Sequence, residues 1–458
     1  MIEIKSEPLI KVGLMTGAKT ARLTLSGGFM TSGGERVPDG DYTATLDDGA
    51  VRLEGVTRSR SRSLALSPID FDKSRFTVHD ITIGIDFHWQ RKEAQRFQGA
   101  LLILSGPQGL TIINELPLEA YIVSVISSEM SATCPAEALR AHSIISRSWL
   151  LAQLNKPVEL NKPVERPQSL EQADQKTNDG EPLEIIKWYD RENHETFDVC
   201  ADDHCQRYQG ISKAFSESAF DAVRDTRGKV LVFEDEICDA RYSKSCGGMT
   251  EVYSAAWEEK RVPYLSAIYD GEGDLRGFDL PLTVEANARR WITSKPAAYC
   301  NTESAALLAR ILPGFDQETQ DFYRWEVRYS ETELREILRA RAGIDLGRIA
   351  SLEPVMRGQS GRLVKLKITG ERGAVVIGKE LEIRRALSRS HLYSSAFAVE
   401  TERDEQTGLA REFRLRGAGW GHGVGLCQIG AALMGDFGHD YEQILSHYFR
   451  GATLSVLY

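Results

Sequence analysis

One carboxylate, Glu129, closes the segment Ser127-Ser128-Glu129-Met130 after a run in which Leu118, Ile122, Val125 and Ile126 recur at helical spacing. On that apolar stripe it would be partly desolvated, which disfavours its charged form, as a general acid working near neutral pH requires. The competing reading is a helix-end glutamate that turns outward to water. A second cluster holds His194, Cys200, His204 and Cys205 within a dozen residues. Two imidazoles and two thiols are the donor set of a closed tetrahedral zinc site, which is structural because no position is left for water. The order H-x5-C-x3-H-C is not a zinc-finger pattern, and a chance grouping of small core cysteines competes with the metal.

Two further segments concentrate hydrogen-bonding groups or bare backbone. Arg241-Tyr242-Ser243-Lys244-Ser245-Cys246-Gly247-Gly248-Met249-Thr250 reads as a strand edge rich in hydroxyls with one lysine, or equally as a tight hairpin. Gly417-Ala418-Gly419-Trp420-Gly421-His422-Gly423-Val424-Gly425 has glycine at every second position. As an extended strand it would leave one face bare, so that a ligand or another element approaches the backbone closely. The dinucleotide pattern G-x-G-x-x-G is not met there, and no phosphate-loop Lys-Ser or Lys-Thr follows.

The elements that must position these groups give an α+β chain. Residues 1–111 form a β-rich N-terminal region, with strands expected at 23–26, 42–46, 82–87 and 100–104. The arginines between Ser59 and Ser63 read as a solvated loop or strand edge. Residues 112–154 are the helical segment: one helix opens at Pro117 and reaches Glu129, and a second opens at Pro135. Residues 155–187 change composition, nearly repeat Asn-Lys-Pro-Val-Glu, and read as a flexible insertion. Residues 188–458 hold the remainder. Helical periodicity appears over 285–292, 303–311 and 331–341, strands over 363–368 and 397–400, then the glycine-rich strand and a helix ending near Tyr448. Sheet order is not legible.

Composition narrows the function. The 458 residues carry a formal charge of -10, with no basic excess to neutralise phosphates, so nucleic acid is not an expected partner. No stretch approaches the roughly 20 apolar residues of a membrane span. Met1 to Lys11 is charged and lacks the apolar region of a signal peptide. Seven scattered cysteines are no disulfide framework.

Taken in order, these blocks resemble the sporulation stage II protein D family, also called the SpoIID/LytB domain family. The residues that carry the resemblance are Leu116-Pro117-Leu118-Glu119-Ala120-Tyr121, Ser128-Glu129-Met130, Glu137-Ala138-Leu139-Arg140-Ala141-His142 and Ser146-Arg147-Ser148-Trp149. Tyr242-Ser243 with Cys246-Gly247-Gly248, and Gly419 to Gly425 with Gln428-Ile429-Gly430-Ala431, complete it over roughly residues 112–450. The resemblance implies a peptidoglycan lytic transglycosylase with Glu129 as acid and base, acting on glycan strands stripped of peptides. It implies a structural zinc on two histidines and two cysteines, here His194, Cys200, His204 and Cys205. The substrate-binding set expected on this basis is Arg140, Arg147, Tyr242, Ser243, Lys244, Trp420, His422 and Gln428. Arg140 and Arg147, seven apart on one helix face, would anchor a carboxylate of the sugar or pair with acidic neighbours. The implied location is the cell envelope, periplasm or wall, and an N-acetylmuramoyl-L-alanine amidase is an implied partner. His142 stands where glutamine is common in the family. Two other readings stand beside the enzyme: a non-catalytic amidase enhancer or glycan-binding module, and a zinc hydrolase with an open metal position near Glu129.

Overall fold

The computed structural model describes residues 6–56, 61–84, 90–131, 133–155, 182–189, 194–202, 205–212 and 217–458. Several expectations therefore lie outside the described residues: the start of the arginine–serine stretch at Ser59 and Arg60, the end of the strand at 85–87, most of the insertion, and His204.

Alternating side chains build the N-terminal sheets. In Thr20–Ser26, Ala21, Leu23 and Leu25 turn inward while their neighbours face water. That strand is central to a five-stranded antiparallel sheet. A seven-stranded sheet contains Leu9–Ala18 paired antiparallel with Gly109–Pro117, and Val199–Cys200 joins its Leu9–Ala18 edge in parallel. The two sheets share one core. Phe29 of one meets Phe76 of the other edge-on at 6.3 Å, and an aromatic column continues through Phe97 and Tyr208 to Tyr121 at 5.3–5.9 Å.

Tyr121 lies on helix α1, Leu118–Glu129, which follows Gly109–Pro117 without a break. The division drawn at 111/112 thus crosses a paired strand. Only Ala120 and Ser127 of α1 are not buried, so the expected single apolar face is corrected: the helix is enclosed all round. Helix α2, Ala136–Asn155, is buried along nearly its whole length and packs beside it. The two are joined by a buried fork. Arg147 Nε and Nη2 donate to the two carboxylate oxygens of Glu119 at 3.0 and 2.6 Å, and Nη1 donates to the Lys229 carbonyl at 2.8 Å. Glu119 also accepts from the Gly228 amide and the Tyr458 hydroxyl.

The helices expected beyond residue 280 appear at Glu285–Thr293, Ala305–Ile311, Glu331–Ala342 and Tyr441–Tyr448, with strands at Leu363–Gly370 and Phe397–Arg403. Glu331–Ala342 and these strands contribute to a second core that includes Trp325, Leu366, Phe397 and Phe413, whereas Ala305–Ile311 and Tyr441–Tyr448 pack into the first core and Glu285–Thr293 into a third, smaller one. The end of the expected insertion is corrected: Leu183–Ile186 is a strand, parallel to Val375–Gly378. A last strand, Thr453–Val456, was not foreseen and pairs with Lys229–Phe233.

The glycine-rich strand is the largest correction. Extended pairing stops at Ala418, because Gly419, Gly421, Gly423 and Gly425 all have φ between 74° and 92°, a left-handed region that extended chain does not visit. The segment is a loop, and its close neighbours are other parts of the same chain. A Cβ on Gly425 would fall 2.1 Å from the Arg241 carbonyl oxygen, and one on Gly423 would fall 2.3 Å from the Arg362 guanidinium carbon.

Arg147 is fully enclosed and Glu119 nearly so, and Arg147→Met should leave a buried carboxylate without its cation and cost about 3–5 kcal/mol. Urea unfolding checks this; a loss under about 1 kcal/mol would count against the fork as a structural clasp.

Candidate active site

Glu129 is the last residue of α1, where the helix carbonyls run out of backbone donors. Lys244 fills that gap: its ammonium donates to the Glu129 main-chain oxygen at 3.2 Å, a favourable charge at a helix C-terminus. The same ammonium lies 3.8 Å from the Glu129 carboxylate and 2.9 Å from that of Asp316. Arg207 pairs with Asp316 from another side at 3.4 Å. Burial pushes the Asp316 carboxyl upward, but the Lys244 and Arg207 charges outweigh it and hold the group below its ordinary value.

Glu129 is buried, with its side chain 10% exposed. Oε1 receives long contacts from the Tyr242 hydroxyl at 3.5 Å and the Arg207 amide at 3.4 Å. Oε2 receives the Gln428 side-chain amide at 3.4 Å. Catalytic contacts of this length commonly tighten only when a reacting group is in place.

Two short strands deliver these donors. Tyr242–Ser243 runs parallel to Leu426–Cys427, with Tyr242 opposite Leu426; Lys244 and Gln428 follow directly. The hairpin alternative for 241–250 is thereby corrected, because the partner strand comes from the far end of the sequence.

His142, on α2, completes the group. Its Nε2 is 3.0 Å from the Gln428 amide nitrogen and its Nδ1 is 3.2 Å from Ser146 Oγ, and the Tyr242 ring packs edge-on at 4.6 Å. Burial, and then the Lys244 charge, lower its pKa to about 3. The imidazole is therefore neutral. With the amide donating to Nε2, the proton belongs on Nδ1, facing Ser146.

The other expected residues divide. Tyr242, Lys244 and Gln428 meet at Glu129. Ser243 is buried beside them, its hydroxyl without a partner among the described residues. Trp420 stacks on Tyr393 at 4.3 Å and packs on Phe322 at 4.7 Å. His422 accepts the Val424 amide at 3.0 Å and packs against Trp257. Both arginines have acidic partners instead of a place on the carboxylate. Arg140 pairs with Glu137 and Asp225 near the surface, about 200° around α2 from His142. Arg147 has no exposed side-chain surface, so its sugar-binding role is withdrawn: the guanidinium is spent on Glu119. Three groups here carried no sequence signal of their own: Arg207, Asp316 and, beyond its departure from glutamine, His142.

Of the expected zinc ligands, three converge. Ligand atoms of His194, Cys200 and Cys205 all lie within 4.8 Å of one another, with Cys205 Sγ 3.5 Å from His194 Nε2; His204 lies outside the described residues. One imidazole and two thiols fit zinc. Such a metal would fasten the Val199–Cys200 strand to the edge of the N-terminal sheet.

An α+β chain with a near-buried glutamate at a helix end, met by hydroxyl, ammonium and amide from a parallel strand pair, is the class that fold and site define. Residues 107–233 match the family model described as stage II sporulation protein (SpoIID), and residues 251–425 match a domain of unknown function, DUF8618. The amidase enhancer of Bacillus subtilis (strain 168) is 25% identical over 267 residues, 55% of this chain and 34% of that protein. Stage II sporulation protein D of Bacillus amyloliquefaciens is 23% identical over 343 residues, 75% of each chain. Its counterpart in Bacillus subtilis (strain 168) is 22% identical over 346 residues, 75% of this chain and 76% of that one. The chain thus spans about a third of the amidase enhancer and three quarters of the two sporulation proteins. Over residues 107–233 the chain is thus similar to the SpoIID family, and the two sporulation proteins extend that similarity over three quarters of its length. No helix among the described residues is long and apolar enough to cross a membrane.

The neutral His142 makes a pH test. Its folded value of about 3 lies below the 6.5 of a free imidazole, so below 6.5 the unfolded chain binds the proton first. Its contribution to stability is complete above pH 6.5 and is lost as pH falls toward 3, by up to about 1.4 kcal/mol per unit. In denaturant titrations at several pH values, His142→Gln should lose less stability than wild type across that window; parallel curves would refute the assignment.

Proposed function

We propose that this chain remodels the bacterial cell wall as a lytic transglycosylase, cleaving the peptidoglycan backbone between N-acetylmuramic acid and N-acetylglucosamine with Glu129 as acid and then base. The single observation that carries the reading is the buried Glu129 carboxylate itself, met by Tyr242, Gln428 and the Arg207 amide. The similarity of residues 107–233 to the SpoIID family supports it.

One carboxylate suffices for this reaction, whereas the usual glycoside hydrolysis needs two. Protonated Glu129 gives its proton to the glycosidic oxygen as the bond from that oxygen to the muramic acid C1 breaks. The muramic acid 6-hydroxyl attacks C1, its proton returns to Glu129, and a 1,6-anhydro ring closes without water. Lys244 is fixed between Glu129 and Asp316 and places a positive charge beside the carboxylate whenever it is ionised. Tyr242 and Gln428 hold the two oxygens in orientation, with neutral His142 fixing the Gln428 amide. Asp316, bound by two cations, positions Lys244 and leaves the proton transfers to Glu129. His194, Cys200 and Cys205, with His204, would hold a structural zinc that fastens the fold and supplies no reacting group. Peptide-stripped strands in the cell envelope are the proposed substrate.

A second reading has its own support. The similarity to a protein named amidase enhancer favours a non-catalytic role in which the chain binds glycan or an N-acetylmuramoyl-L-alanine amidase and stimulates it.

Mass spectrometry of intact and amidase-stripped glycan, incubated with wild type and with Glu129→Gln, separates the readings. The lytic reaction predicts 1,6-anhydro products from wild type and a fall of about a hundredfold or more in the variant. Reducing ends that vanish in both Glu129→Gln and Asp316→Asn would point to two-carboxylate hydrolysis instead. Amidase stimulation that survives Glu129→Gln, with no anhydro product from either protein, would establish the enhancer.

A further inference from the structure

Four side chains that the proposed chemistry does not use meet inside the protein. Cys246, Asp270, Cys300 and Cys427 are all buried, and their three sulfurs and one carboxylate oxygen lie within 4.8 Å of one another. Cys246 Sγ is 3.6 Å from Cys300 Sγ and 3.1 Å from Asp270 Oδ2. Thiolates held about 2.3 Å from a tetrahedral metal are about 3.8 Å apart, and a carboxylate oxygen in the same shell is about 3.5 Å from each. The Cys246–Cys300 and Cys246–Asp270 distances are within a few tenths of an ångström of those of such a shell, and the four atoms together are close enough to enclose one ion.

The surroundings point the same way. Main-chain N–H groups are aimed at the sulfurs: Cys246 N to Cys427 Sγ at 3.2 Å, Gly430 N to Cys427 Sγ at 3.4 Å, and Gly248 N to Cys246 Sγ at 3.4 Å. A thiol is a weak acceptor, whereas a thiolate at a helix N-terminus is stabilised, and Cys427 is the N-cap of Gln428–Asp436. Asp270 is fully buried, and its Oδ1 accepts the Tyr448 hydroxyl at 2.7 Å. That bond orients Oδ2 toward the sulfurs, as outer partners orient metal-binding carboxylates. Gly430 leaves the space: a Cβ there would lie 2.7 Å from Asp270 Oδ2. A disulfide would account for two of the sulfurs only, leaving a third thiol and a buried carboxylate unexplained.

We infer that Cys246, Asp270, Cys300 and Cys427 form a second metal site, a closed tetrahedral shell of three thiolates and one carboxylate suited to Zn2+ and separate from the His194 cluster. Being closed, it is structural. Cys246 stands two residues beyond Lys244 and Cys427 immediately before Gln428, so the metal clamps the strand pair that serves Glu129.

Metal analysis of the full-length chain, purified without chelators, tests this. Wild type should hold one equivalent of zinc more than Cys246→Ser/Cys300→Ser, and the same difference should persist when Cys200→Ser/Cys205→Ser removes the first cluster. Two measurements do not depend on the folding of Cys246→Ser/Cys300→Ser. Cobalt-loaded Cys200→Ser/Cys205→Ser should keep thiolate-to-metal charge-transfer absorption. Asp270→Asn, nearly unchanged in shape, should release zinc to a chelator at least about tenfold faster than wild type. Equal zinc content with and without Cys246 and Cys300, no cobalt–thiolate absorption, an unchanged release rate, or a disulfide among these cysteines in non-reduced peptide maps would overturn the site.

Discussion

The Lys244 ammonium is the point on which separate parts of this molecule depend. It is 9% exposed, and a buried ammonium is tolerable only when oxygen atoms replace its water. Those oxygens are the main-chain carbonyl and carboxylate of Glu129 and the carboxylate of Asp316. Satisfying one charge thus fixes the end of α1, the strand at Tyr242–Ser243 and the turn around Asp316 relative to one another. The candidate acid–base residue occupies the centre of that arrangement because it is itself part of the compensation.

The remainder of the site is held by contacts of other kinds. Arg362, fully buried, donates to the carbonyls of Gly421 and Cys246, and the glycine-rich loop winds closely around its guanidinium. The left-handed glycines are what let main chain approach an arginine plane so nearly. On the opposite flank the Arg147–Glu119 fork binds α2 to α1, which keeps His142 within reach of Gln428. Electrostatic compensation, bare backbone and aromatic packing therefore converge around Glu129 and the strand pair that serves it.

Local periodicity sufficed for what depends on neighbours along the chain. The helices ending at Glu129 and near Tyr448, those after 285 and 331, and the inward alternation of the N-terminal strands all follow from side chains three, four or two positions apart. The prominence of Glu129, Tyr242, Lys244 and Gln428 was legible because residue type and order survive without coordinates. The extended reading of Gly417 to Gly425 failed because glycine spacing does not reveal the sign of φ, which packing against Arg362 and Arg241 sets. The amphipathic reading of α1 failed because nothing within the helix says how many layers will cover it.

What the sequence by itself determined is therefore the α+β character, the order of the blocks that carry the resemblance to the SpoIID family, and the residue at the centre of the candidate site. Only the tertiary structure decided that Arg147 serves Glu119, that Asp316, Arg207 and His142 join the Glu129 group, and that three cysteines from distant segments meet Asp270. These depend on residues far apart in sequence. Their contacts are fixed by the desolvation of charge and by the parallel pairing of two short strands, neither of which leaves a periodic trace in the chain.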